Sequence, residues 1–167
     1  MNDGQDVSRS SLQTQLGQLQ IDFYHLRDSD LATPLAMLAH KTLASGHKLL
    51  ILSPKDNHAA ISEKLWSFRS DSFLAHAADD QEGSEHAQIW LTSDVSANQI
   101  GARFLALTAG LEPPEVKQFD RVFNLFDGTS ETAVAVARDS WKRWFGADDV
   151  TCRYFSQDDD GRWEQKK

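Results

Sequence analysis

The feature that most limits what this chain can fold into is its alternation of short apolar runs with segments of helical period. Leu49–Leu52 is uninterrupted apolar sequence closed by Ser53 and Pro54, the pattern of a strand buried on both faces. Ile89–Leu91, Phe104–Leu107 and Val122–Phe126 repeat it, separated by turn-rich stretches that include Pro113 and Pro114. Ile21, Phe23 and Leu26 open an earlier strand, and VTCRYF supplies a last short one. Apolar spacing turns helical at Leu35, Leu38, Thr42 and Leu43, with Thr33-Pro34 as a helix start and Gly46 as its stop. A second helix carries Ile61, Leu65 and Trp66 and fades near Arg69, and a third runs from about Ser130 to Phe145 before Gly146. Strands and helices in this order predict an α/β fold: βαβ units, a mostly parallel sheet and helices on both faces, hence three layers.

A chain of 167 residues with 40% hydrophobic content can bury one core without a metal or disulfide. The expected organisation is a flexible, Gln- and Ser-rich extension over 1–19, one α/β domain over 20–157, and an acidic then basic tail over 158–167. Cys152 is the single cysteine, which fits a reducing compartment. The first twenty residues lack a basic then apolar leader, and no run reaches the length of a membrane span, so a cytoplasmic protein without membrane contact is expected. The formal net charge of −8 argues against a grip on phosphate backbones, so any contact with DNA is expected to be indirect.

Catalytic signatures are missing where a doubly wound sheet would carry them. The turn after the first strand, RDSDLATP, holds no glycine; Gly46-His47-Lys48 precedes a strand instead of following one; Gly128-Thr129-Ser130 has no lysine. None of the six histidines pairs with another His or with Cys152 at the spacing of a helical metal site, so they read as solvated or capping groups. No elbow surrounds a serine or Cys152. Neither a metal, a cofactor nor a catalytic residue is therefore expected. A motif-free nucleotide binder or small enzyme remains as the alternative reading, motivated by fold class alone. Direct single-strand binding through the five tryptophans is a third.

The third helix carries the one surface that stands out in an acidic chain. Val134, Ala137, Trp141 and Trp144 share a stripe that should pack on the sheet. Arg138 and Lys142, four residues apart, stack beside Trp141, with Arg143 a step further round. The plain interpretation is a solvated basic face near a helix C-terminus. The functional one is a cationic strip that takes the carboxylates of an acidic peptide while a pocket, lined in part by Phe126, buries its apolar end.

From about Ile21 onward the sequence resembles the chi subunit of bacterial DNA polymerase III, an accessory part of its clamp-loader assembly. The resemblance rests on IDFYHL, LWSFRSDSFLAHA, RVFNLFDG, VARDSWKRW and the Gly161-Arg162-Trp163 ending. It implies a Rossmann-like domain without catalysis of its own that binds the acidic C-terminal tail of single-stranded DNA-binding protein and joins the polymerase through a second small subunit, psi. By position it implies Arg138, Trp141 and Lys142, with Phe126, as the tail-binding set, and Arg143 as a possible helper. Trp141 stands where a tyrosine is familiar, which removes a hydroxyl but keeps stacking. For psi it implies Phe73, with Phe68, Leu74 and Trp66 as neighbours, Leu74 and Trp66 being core by default. Nothing in it accounts for the long N-terminal stretch or the acidic 79–85 loop.

Overall fold

The computed structural model describes residues 18–69, 74–78 and 86–166. One eight-stranded sheet is formed by β1 (Leu19–Leu26), β2 (Leu49–Leu52), β3 (Ala77–Ala78), β4 (Ile89–Thr92), β5 (Phe104–Leu107), β6 (Arg121–Asp127), β7 (Val150–Gln157) and β8 (Trp163–Lys166). Its order is β3-β4-β2-β5-β6-β1-β7-β8, parallel throughout except for β7 against β8. Three helices cover it: α1 (Ala32–Ala44), α2 (His58–Ser67) and α3 (Glu131–Trp144). The predicted three-layer α/β, Rossmann-like architecture is the one observed.

Period-two alternation decides which core each strand residue joins. Tyr24, Leu26, Phe123 and Leu125 face α1 and α2, where they meet Leu35, Leu38, Ile61 and Leu65. Ile21, Phe23, Val122 and Phe126 face the other way and meet Ala137, Val134 and Trp141 of α3. The central strands β2 and β4 are buried at every position, as their unbroken apolar runs require. Each fully buried Leu, Ile or Phe contributes roughly 1.5–3 kcal/mol.

The sequence places α1 correctly, but its start is made by a residue outside the expected pair. Asp30 accepts from the Thr33 backbone N–H (3.2 Å) and hydroxyl (2.6 Å), and these bonds hold its carboxyl below the usual range. Gly46, at φ +82°, follows the helix as the stop. Two strands lay outside the sequence reading. β3 is only two residues long, and β8 lies within the charged C-terminal segment: Asp158 to Arg162 turn the chain back, and Trp163 closes edge-on over Tyr24 at 5.0 Å. Leu19, at the end of the expected extension, is buried and opens β1. No helix among the described residues is long and apolar enough to cross a membrane.

One charge sits inside the sheet. Asp22, in the middle of β1, is 0% exposed and accepts from Arg153 of β7 through both oxygens (2.8 and 2.8 Å) and from Arg121 of β6 (2.9 Å). The guanidiniums lie over Phe155 and Phe123 and keep one side in water. Burial, then the Asp22 charge, pushes the neighbouring Tyr24 phenol up to about 12. Removing the carboxylate leaves two cations against one another at a strand junction. Asp22→Asn is expected to lose about 3 kcal/mol of unfolding free energy in urea titration, more than a surface Asp→Asn change.

Candidate functional site

α3 begins where β6 ends. Asp127 accepts from the Thr129 N–H (2.8 Å) and hydroxyl (2.6 Å), and Ser130 caps the helix by accepting from the Ala133 N–H (3.2 Å). The turn between them demands glycine. A Cβ at Gly128 would lie 2.1 Å from the His25 ring and 2.3 Å from the Leu26 carbonyl oxygen, to which Gly128 donates its N–H. The close approach seats His25 against the end of β6. Its ring lies 5.0 Å from that of Phe126, and its Nδ1 is hydrogen-bonded to the Tyr154 hydroxyl at 2.6 Å.

Next to this pair a cavity of about 210 Å³ opens, lined by Phe126, Val134, Ala137, Arg138, Trp141 and Tyr154. Trp141 meets Phe23 and Tyr154 edge-on at 5.2 and 5.9 Å, so its ring is a rigid wall. Phe145, four residues on, stacks flat on the outer side of Trp141 at 5.0 Å and is 62% exposed. Arg138 and Lys142 are exposed and form no ion pair with any described residue. Burial pushes the Tyr154 phenol up while the Arg138 charge opposes it, which places that cation's field on the cavity. The result is an apolar hole with unneutralised positive charge at its mouth.

The structure thus brings together Phe126, Arg138 and Trp141, with Lys142 alongside on the same helix flank. Arg143 is elsewhere. Its guanidinium pairs with Glu112 at 2.5 Å, and the Trp144 indole N–H donates to the other oxygen of Glu112 at 2.8 Å. Those two bonds pin the end of α3 to the loop after β5 and turn Arg143 to the opposite flank.

Residues 19–148 match the family described as DNA polymerase III chi subunit, HolC. The chain belongs to that family. Its membership gives it an accessory place in DNA polymerase III and so in DNA replication. No curated protein matches the chain.

The second expected surface is only partly in view. Phe73 lies outside the described residues, as does the acidic 79–85 stretch. Leu74 is 3% exposed and packs in the α1/α2 core, so it presents no surface. Trp66, read as core by default, is 47% exposed at the end of α2, with its ring 5.0 Å from that of His76. Phe68 is partly buried beside it. Among the described residues no cluster of three His, Cys, Asp or Glu could hold a metal.

His25, Tyr154 and Phe145 were missing from the sequence-based set. Tyr154 carried a usable signal, since alternation from Cys152 puts it on the α3 face, and Phe145 follows Trp141 by one helical turn. His25 carried none, because its contact with Tyr154 spans the β1–β7 crossover. Cys152 lines the α3 core, and burial followed by the charge of Asp22 pushes its thiol from 9.0 up to about 11. The folded state holds this proton more tightly than the unfolded chain does. Its contribution is therefore full below the unfolded value near 9.0 and is lost as pH rises through about 11. Iodoacetamide at pH 8 should leave Cys152 of the native protein unmodified over hours and label it within minutes in 6 M guanidinium, read by intact mass. Gly128→Ala should cost about 2–3 kcal/mol by chemical denaturation, because the new Cβ meets backbone that cannot yield.

Proposed function

We infer that the cavity beside Trp141 binds the acidic C-terminal tail of single-stranded DNA-binding protein. The observation that carries this reading is an apolar hole of about 210 Å³ with Arg138 in its lining and Lys142 one helical turn on, neither cation in an ion pair with a described residue. A cavity of roughly 150 Å³ already accepts a benzene ring, so this one admits a single phenyl-sized side chain. A peptide that ends in phenylalanine would bury that ring against Phe126, Val134, Trp141 and Tyr154. Its terminal carboxylate and preceding acidic residues would meet Arg138 and Lys142. Tyr154, held by His25, supplies the hydroxyl that a tyrosine at position 141 would otherwise have brought, although it comes from a strand. Arg143 has no part in this set, because Glu112 already neutralises it.

The chain would then act as a non-catalytic cytoplasmic bridge. One side holds the tail of the protein that coats single strands. The other joins a psi-type clamp-loader subunit through Phe68 and Trp66 at the end of α2, together with Phe73, which the resemblance implies. Trp66 replaces Leu74 in this proposal, since a buried leucine cannot dock. The charge balance of the chain keeps its contact with DNA indirect.

Calorimetry with an acidic nonapeptide ending in phenylalanine, at low salt, is expected to give a micromolar Kd that weakens as salt rises. Arg138→Ala and Lys142→Ala should each weaken it about five- to tenfold, and amidation of the peptide terminus should do at least as much. Absence of detectable heat at low salt would overturn the reading.

A further inference from the structure

On the opposite flank of α3 lies a second and larger cavity, of about 730 Å³, within the range of small-molecule sites. It opens at the carboxyl ends of β5 and β6, where the chain leaving β1 turns to α1 on one face while the chain leaving β6 turns to α3 on the other. Ligands of open α/β sheets bind at that crevice. The second observation concerns its interior. Asn124 and Ser140 both line it, both are more than nine-tenths buried (6% and 7% exposed), and the side chain of neither makes a hydrogen bond to a described residue. Their polar ends are not sealed off, since no fully buried side-chain N or O atom among the described residues lacks a partner. They therefore open into the cavity. Two polar groups that face the cavity and are not engaged by another side chain are available to a ligand, which would replace the water they otherwise meet.

The lining also says what kind of ligand fits. Leu31, Leu107 and Val136 give it apolar walls. Asp127, Asp139 and Glu112 supply three carboxylates, and the single cation, Arg143, is already paired with Glu112. An anion would meet net negative charge and no free cation, and the start of α3 is occupied by its own Ser130 cap. The charge of the lining therefore disfavours phosphate-bearing ligands. We propose that this cavity is a binding site for a small organic cation: an amine or guanidine on an aromatic or apolar body, with a hydroxyl or amide end that Asn124 and Ser140 read. The flat body would lie between Leu107 and Val136 and the charge would face Asp127 and Asp139.

Tyramine is the simplest probe, with phenethylamine lacking the hydroxyl and 3-(4-hydroxyphenyl)propionate reversing the charge. Titrated into the isotope-labelled full-length chain and followed by amide and side-chain NMR, tyramine should bind on the order of 1 mM. Shifts should concentrate at Asn124, Ser140, Leu107 and Val136 and spare Arg138, Trp141 and Tyr154. Phenethylamine should bind at least threefold more weakly, and the propionate at least tenfold. Asn124→Leu should abolish tyramine shifts. Ser140→Ala, which suits a helix and should keep the melting temperature, should weaken them at least threefold and keeps the test valid if Asn124→Leu does not fold. No saturable shift at 10 mM, shifts centred on Trp141, or equal binding of the propionate would each overturn the proposal.

Discussion

Asp22 is the point on which the right half of the sheet turns. β1 is the strand that the chain makes first and the one that β6 and β7 later enclose, so its neighbours are about a hundred residues away in sequence. A carboxylate at its centre, reached by one arginine from each neighbour, rewards only one alignment of the three strands. A slip by one residue would move Asp22 to the face of Phe23 and Cys152, away from Arg121 and Arg153 and into apolar packing. The ion cluster gains little net energy over an apolar substitute, as buried pairs generally do, and its effect is on register. That register sets the positions of Phe126 and Tyr154, and with them the pocket on the far side of the sheet.

α3 is more than the cover of that face. Phe126 and Ala137 contribute to both cavities, so the helix sits astride a ridge with a hollow on each side. The two hollows differ in charge because helical geometry distributes it. Arg138 and Lys142 lie one turn apart on one flank, while Asp139 and the Glu112-bound Arg143 lie on the other. The two flanks of α3 therefore present opposite charge to whatever approaches the helix.

Most of the architecture was legible because parallel strands buried on both faces need long apolar runs, and Leu49–Leu52 or Val122–Phe126 can hardly be anything else. β3 was not, since two alanines carry no pattern, nor β8, since an edge strand reading WEQK is as polar as a tail. Around the pocket, helical spacing made the strip of Arg138 and Lys142 beside Trp141 readable and the strand end suggested Phe126, while their grouping as one binding set came from the resemblance. What spacing could not give was anything set by pairing across the sheet. His25 meets Tyr154 only because β1 and β7 are adjacent. The Glu112 partner of Arg143 was out of reach for a related reason, as Glu112 belongs to a loop that the periodicity of α3 does not see.

The polar character of β8 has a consequence of its own. A sheet of eight strands has two open edges, and each is a template on which another chain could add a strand. Here one edge is a pair of residues too short to recruit anything, and the other carries Glu164 and Lys166 in an antiparallel return that Trp163 anchors to Tyr24. Both rims are therefore poor seeds for β-addition. A protein whose family belongs to DNA polymerase III can in this way lie beside other subunits without pairing to them along these edges.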